Sequence, residues 1–296
     1  MGERVNQGLP TERVDPGFPG YGNGHCALQG ATLRLFQDLD RLFLSWAADC
    51  GAGEYQFPST LPACELNKIG YFKSFPHHLT LPVSLDADHH NLTEFVAREP
   101  LDANGTLRLG KCASVKDVLT PAACYHFYVN FQNQVLDTPR YVTTRATCFR
   151  RETRYVPLRR QWSFSMREIV CIGTAAEVTQ FLEARRKSLE EFFSAIDLPI
   201  EWQKATDPFF NPSGNPKYLA QKLDPVKTEM VFGGDVAIGS VNFHRNYFGE
   251  AFRIFRDSDE SFSGCVAFGL ERWIHAFLTH FGDDEAWWPD VNNWRQ

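Results

Sequence analysis

No stretch of the sequence approaches the roughly 20 consecutive apolar residues that a membrane-spanning helix needs. The opening MGERVNQGLPTERVDPGFPG also lacks the basic-then-apolar order of a secretory signal. Asn6 stands where an N-myristoylation signal wants Ser or Thr. There is no lysine-rich tail or basic domain, and the formal net charge is -6, so general nucleic-acid binding is disfavoured. The eight cysteines lack the dense, regular spacing of a disulfide scaffold. They read as reduced thiols, a few of them available to a metal. Internal repeats are missing as well. Together these absences lead to the expectation of a soluble, cytoplasmic globular protein with no membrane partner.

What is present is 296 residues, 43% of them hydrophobic and 14% aromatic, enough to bury a sizeable core in one large domain or two small ones. Residues 1–30 are rich in Gly and Pro and are expected to form an irregular arm. From there Leu33, Leu35, Leu39, Leu42, Phe43 and Trp46 recur at helical spacing up to Gly51. EYQFPSTLP reads as a strand broken by Pro58, and GYFKSFPHHL as a loop. ACYHFYVNF, ATCFRRETRYV and QWSFSMREIVCIG read as strands, followed by an amphipathic helix over Ala175 to Ala195. Two more strands are expected near Thr228 to Phe232 and Asp235 to Phe243. Long strands in hairpin succession, with helices at both ends and one between, predict an α+β fold on a mainly antiparallel sheet flanked by helices.

Two stretches carry chemistry. In CFRRETRYVPLRRQWSFSMREIV, two strands are expected around a basic loop. Alternation then puts Arg150 and Glu152 on one face, and likewise Phe164, Met166, Glu168 and Val170. Phe164 and Glu168 would lie about 13 Å apart along the strand. On pattern alone a solvated charged hairpin with Phe164 in the core is the favoured reading. In SGCVAFGLERW, a short strand meets a helix at Gly269, and Arg272 falls in the first helical turn, where free N–H groups and the helix dipole favour an anion. An exposed arginine beside Glu271 is the plainer alternative.

These residues carry a resemblance. FRRE followed by the downstream Phe is similar to motif 2 of class II aminoacyl-tRNA synthetases, and GLERW to their motif 3. The helix from Leu33 with EYQFPSTLP is similar to motif 1, which in that family is a dimer element. TPAACY with Cys124, FSMREIVCIG with Glu168 and SGCVAFGLER with Cys265 resemble the zinc-dependent, methanogen-type seryl-tRNA synthetases. Their N-terminal tRNA-binding domain finds no counterpart here, a layout that matches the amino acid:carrier-protein ligases. ATDPFF, KTEMVF and SVNFHRNYF resemble that subgroup.

The resemblance implies a class II synthetase-like catalytic domain over residues 31–296. It also implies ATP-dependent activation of a small amino acid, glycine or alanine, and transfer to the phosphopantetheine thiol of a carrier protein. Zn²⁺ would sit on Cys124, Glu168 and Cys265, with ATP and Mg²⁺ alongside. The 13 Å from Phe164 to Glu168 matches the span of an aminoacyl-adenylate from base to amino acid. Spacings of 44 and 97 residues between the three ligands form no local zinc motif, so this set rests on the resemblance. Arg150 is assigned to the α-phosphate, Arg272 to the γ-phosphate, Phe164 to the adenine face and Glu229 to magnesium. Glu152 is assigned to ATP or the substrate amine, and one of Arg159 and Arg160 to covering ATP. Lys227 reads as a phosphate contact or a solvent lysine, Asn242 as a substrate or nucleotide contact or a strand-end amide.

Cys148 and Cys171 are expected to be buried apolar residues, and His126, on a strand face shared with Cys124, a core histidine. The pairs His77-His78 and His89-His90 are poor chelates, and DDEAWWPDVNNW is expected to pack the C-terminal end. Arg185, Arg186 and Lys187, or the segment Pro216 to Lys222, are candidate docking surfaces for an acidic carrier. A homodimer is implied by the family alone. Two other functions stay open: a truncated seryl-type enzyme charging tRNA, and a catalytically inactive synthetase-like regulator.

Overall fold

The structure, a computed structural model, describes residues 20–22, 24–214, 219, 222–223 and 225–294. Most of the expected N-terminal arm and most of the Pro216 to Lys222 segment lie outside the described residues. The chain enters through a small hairpin, β1 (Gly20–Gly22) and β2 (His25–Cys26). It continues into α1 (Gly30–Asp49), where Leu35, Leu39, Leu42, Phe43 and Trp46 form the buried stripe and Leu33 points outward. β3 (Gly53–Tyr55) and β4 (Thr60–Pro62) flank Pro58. Residues 63–116 make an excursion through α2 (Ala63–Lys68), α3 (Tyr71–Ser74) and α4 (His89–Val96), closed where β5 (Asp117–Leu119) pairs with β4. α5 (Tyr125–Asn130) and β6 (Val135–Leu136) lead to the long antiparallel pair β7 (Arg140–Phe149) and β8 (Ser163–Gly173).

α6 (Ala175–Ala195) starts at a capping box: Thr174 Oγ accepts the Glu177 N–H while the Glu177 carboxylate accepts the Thr174 N–H. β9 (Ile200–Ala205), β10 (Lys227–Phe232) and β11 (Val236–Arg245) follow. After α7 (Tyr247–Phe252) and the short β12 (Phe255–Arg256) and β13 (Asp259–Glu260), β14 (Phe262–Gly269) runs into α8 (Leu270–Phe281).

Seven strands form the main sheet in the order β3-β7-β8-β14-β11-β10-β9, antiparallel throughout except for β3 against β7. Alternation divides each strand between two environments. Ile169 and Cys171 of β8, with Val266 and Phe268 of β14, face a core built by α1, α6 and α8, where Phe43, Phe192, Trp273 and Phe277 are fully buried. Each such side chain contributes about 1.5–3 kcal/mol of transfer free energy. Val170 and Ile172, with Cys265, face the opposite way, toward a second core with α5 and α7. Gly239 is where strand β11 passes closest to its neighbours: a Cβ there would come within 2.6 Å of the Ala267 carbonyl oxygen and closer still to the Met230 methyl.

Three local expectations are corrected. ACYHFYVNF is a helix, not a strand: His126, Phe127 and Tyr128 are buried in succession, which an alternating strand with one buried face does not allow. Aromatic and β-branched propensity misleads there because tertiary burial on two sides decides. His126 therefore shares no strand face with Cys124; it bonds Thr120 Oγ1 at 3.0 Å and stacks on Phe57. ATCFRRETRYV stays extended only to Phe149, so Arg150 and Glu152 lie in the loop beyond β7 and owe their direction to that loop. GYFKSFPHHL, expected as a loop, contains α3 and a 3₁₀ turn over Pro76–His78. Cys148 and Cys171 are buried as expected. At the C-terminal end Trp288 and Trp294 pack on the first core while Trp287 is exposed.

Two polar contacts tie helices to the sheet. Arg167, on the helix side of β8 and only 2% exposed, donates to both Asp40 oxygens of α1 at 2.6 and 3.1 Å and to Glu54 at 3.0 Å. In the first turn of α8, Glu271 accepts the Ser165 N–H with both carboxylate oxygens at 2.9 Å, and burial raises its pKa from 4.5 to about 6. Asp40→Ala leaves the buried guanidinium with Glu54 as its one remaining carboxylate and is expected to cost up to about 3–5 kcal/mol in urea unfolding, whereas the paired apolar change Asp40→Leu with Arg167→Met costs less. Because Glu271 binds its proton more tightly when folded, its contribution is complete below pH 4.5 and declines as pH rises through 6. Glu271→Gln keeps the acceptor, so the variant is expected to lose that decline and to gain up to about 2 kcal/mol over the wild type above pH 6, read as the pH dependence of the urea midpoint.

Candidate active site

On the sheet face away from α1 and α6 lies a cavity of about 440 Å³, floored by β8, β14, β11 and β10 and walled by α3, α5, α7 and the loop after β7. All of the residues proposed from sequence line it: Cys124, Arg150, Glu152, Arg159, Arg160, Phe164, Glu168, Lys227, Glu229, Asn242, Cys265 and Arg272. Alternation explains much of this. Phe164, Met166 and Glu168 step along one face of β8, Cys265, Ala267 and Gly269 along β14, and Ser240 and Asn242 along β11.

At one end, Cys124, Glu168 and Cys265 are each at most 5% exposed and bring their donor atoms within 4.8 Å of one another. Among the described residues they are the one such group of His, Cys, Asp and Glu side chains. Cys124 is delivered by the turn into α5, and the Ala123 N–H from the same turn donates to Glu168 Oε1 at 3.1 Å. Three acids crowded into a low dielectric cannot all ionise unaided. Burial, with Cys265 beside it, pushes the Glu168 carboxyl up to about 8. The Cys124 thiol is held well above its usual range, first by its bond to Cys265 and then by burial. Cys265 is held well below its range: the same bond from Cys124 leads, and His244 and Asn242 add to it. A divalent cation would release that conflict by replacing the shared protons. Two thiols and a carboxyl are donor types that suit zinc.

Toward the middle and far end the groups are cationic and aromatic. Arg150, in the loop, donates from Nε to the Pro121 carbonyl at 2.9 Å, and its guanidinium lies 5.3 Å from the centre of the Phe164 ring. Arg272 donates to the carbonyls of Arg159 at 2.7 Å and Ala237 at 2.9 Å. Burial, joined by the nearby positive charges of Arg150 and Arg160, lowers its pKa. Of the loop arginines, Arg160 pairs with Glu152 at 2.9 Å and Arg159 with Asp235. Lys227 lies between Glu229 at 3.0 Å and Asp207 at 3.6 Å. Asn242 donates to Ser240 Oγ at 3.0 Å and to Cys265 Sγ at 3.2 Å. Its amide is thus turned to the thiol end of the cavity.

Several lining residues escaped the sequence reading. Tyr71 and Tyr125 stand near Arg150, both with phenols raised chiefly by burial, Tyr71 to about 12. Glu271 lines the cavity beside Arg272, and His244 lies two residues beyond Asn242 at the thiol end. The period of two along SVNFHRNYF was the available signal for His244. The basic run on α6 is not a free patch: Arg185 donates to the Trp46 carbonyl, Arg186 pairs with Glu190 and lies 4.6 Å from the Trp202 ring centre, and Lys187 is 3.8 Å from Glu191. His78 Nδ1 meets the Arg151 carbonyl at 3.1 Å and does not chelate with His77.

The comparisons with known proteins agree with this layout. Residues 115–281 match the tRNA synthetase class II core domain (G, H, P, S and T). Amino acid:acyl-carrier-protein ligase 1 of Bradyrhizobium diazoefficiens is 32% identical over 249 residues, covering 81% of this chain and 75% of that protein. Ligase 2 of the same organism is 33% identical over 244 residues, covering 79% and 71%. A type-2 serine–tRNA ligase of Methanothermobacter thermautotrophicus is 27% identical, covering 92% of this chain but 56% of its own length. Among solved structures, M. kandleri SerRS in complex with A. aeolicus tRNASec superposes with a TM-score of 0.76 at 19% identity, over 93% of this chain and 57% of that one. Class II core, thiol-lined pocket and relatives matched over most of their length converge: the chain belongs to the amino acid:acyl-carrier-protein ligases, enzymes on a class II aminoacyl-tRNA synthetase core.

Proposed function

We propose that this enzyme activates a small amino acid, glycine or alanine, with ATP and passes it to the phosphopantetheine thiol of a carrier protein. The observation that carries the reading is one cavity with a cluster of two thiols and a carboxyl at one end and buried arginines beside an aromatic ring at the other. Residues 31–296 are read as one catalytic domain, and a homodimer through α1 and β3 is proposed on the resemblance of that stretch to motif 1. Cys124, Glu168 and Cys265 would hold a zinc ion, which would supply a Lewis acid for a neutral amine and so favour an amino acid over a hydroxy acid.

In the first step a carboxylate oxygen of the amino acid attacks the α-phosphorus of ATP. The bond from that phosphorus to the bridging oxygen breaks, and pyrophosphate leaves with the electron pair. Arg150 neutralises the charge gathering on the α-phosphate, Phe164 stacks on adenine and Arg272 holds the γ-phosphate. Both guanidiniums are fixed through neutral carbonyls, which leaves their charge uncancelled for the phosphates. One of Arg159 and Arg160 covers ATP by exchanging its carboxylate partner, Asp235 for Arg159 or Glu152 for Arg160, for phosphate oxygens, and exchange by Arg160 frees Glu152 to contact ATP. Glu229 would hold Mg²⁺ with the phosphates, and Lys227, now paired to it, would turn to a phosphate oxygen.

In the second step the carrier's thiol sulfur attacks the acyl carbon, the acyl C–O bond to phosphate breaks, AMP leaves and the thiol proton passes to solvent. The open end of the pocket has only to admit a slender arm. The bulky rings of Tyr125, Phe248 and His244 among the cavity's lining support a small substrate side chain.

The test is amino-acid-dependent ATP–pyrophosphate exchange across the amino acids on metal-replete protein. Exchange with glycine or alanine is expected, abolished in Cys265→Ala and lowered about 10²–10³-fold in Arg150→Ala. Label from the activated amino acid should then move to a phosphopantetheinylated carrier protein. Transfer to tRNA instead would replace the carrier reading, and a metal-replete protein inert toward every amino acid would defeat the activation reading.

A further inference from the structure

His244 lies at a break in the ladder between β11 and β14. Phe243 pairs with Gly264 and Arg245 with Ser263, leaving His244 as the extra residue of a bulge, and Arg245 takes a positive φ of 56° just after it. A bulge of this kind re-aims one side chain, and it commonly occurs beside an active site. Here the ring is aimed at the thiol cluster, with Nε2 3.6 Å from Cys265 Sγ. Its other nitrogen, Nδ1, is 3.1 Å from both the Tyr128 hydroxyl and Ser263 Oγ. Tyr128 is fully buried and Ser263 only 1% exposed.

Proton counting fixes the tautomer. Nδ1 faces two buried hydroxyls, which already bring two protons to place. A third proton on Nδ1 would leave one of them without an acceptor in a buried site, so the ring proton belongs on Nε2, facing the sulfur. Cys265 Sγ then receives two N–H donors, from His244 and from Asn242 at 3.2 Å. The ring itself is held edge-on by Phe248, with centroids 5.0 Å apart.

We propose that His244 is a positioning residue of the metal centre: its Nε2–H, set in place by Tyr128 and Ser263, orients the Cys265 sulfur and disperses its negative charge. This rests on the metal-binding reading above. Hydrogen bonds of this outer kind commonly carry about 10–100-fold of a site's metal affinity.

The experiment measures zinc affinity by competition with a chromophoric chelator, and the sulfur-to-metal charge-transfer band of the cobalt(II)-loaded protein. His244→Phe keeps the aromatic packing and removes all three polar contacts of the ring. About 10–100-fold weaker zinc binding is expected, with the cobalt band moved to lower energy because an undonated thiolate holds its electrons less tightly. His244→Gln, which can restore an N–H near the Nε2 position, is expected to recover most of both. The shape-preserving pair Tyr128→Phe with Ser263→Ala should reproduce part of the loss without touching the cavity wall. Wild-type affinity and an unmoved band in His244→Phe would overturn the proposal, and so would equal losses in the Phe and Gln variants, which mean packing alone. Wild-type protein that binds neither metal would overturn the metal reading itself and this inference with it.

Discussion

The register of β8, β14 and β11 is the constraint from which the rest of the molecule follows. Ala267 stands opposite Glu168, and Asn242 opposite Cys265. A slip of one residue in either ladder would turn the thiol and carboxyl into the helix-covered core and bring Val266 and Ile169 out in their place. The large aromatic core under α1, α6 and α8 makes such a slip prohibitive, because Phe268 and Trp273 would lose their burial at the same time. Packing on one face thereby enforces chemistry on the other.

Charges in the molecule divide by how they are held. Arg167, on the covered face, is met by carboxylates and serves only to join α1 to the sheet. Arg150 and Arg272, in the cavity, are met by backbone carbonyls, which fix direction without cancelling charge. Arg159 and Arg160, at the rim, make exposed ion pairs that cost little to exchange. The acidic end is the reverse case, with Cys124, Glu168 and Cys265 crowded together so that only a cation relieves them.

Much of this is legible in the sequence wherever a single periodicity governs. The two-residue repeat of FSMREIV lays out Phe164, Met166 and Glu168 on one face, and the Thr174 cap with its apolar stripe fixes α6 to the residue. Legibility fails where several forces compete. The helix at Tyr125–Asn130 hides behind strand-favouring side chains, because burial on two sides outweighs their propensity. Arg150 and Glu152 read as strand neighbours, yet β7 ends one residue earlier and the loop sets their directions. His244 is signalled by its place two residues after Asn242, but the bulge that holds it leaves no trace in composition. The Asp40–Arg167 pair spans 127 positions and has no local signature at all.

The strand order carries one more consequence. β14 lies between β8 and β11 in the sheet but follows both in the chain. The strands up to β8 and those from β9 to β11 can each form ladders of their own, but the two blocks meet only through β14. Joining it to β8 closes a loop of some ninety residues, and contacts so remote in sequence slow the search for the native state. β14 is thus the keystone of the sheet. Cys265 travels on it, so the third member of the thiol cluster arrives with the same event that unites the fold.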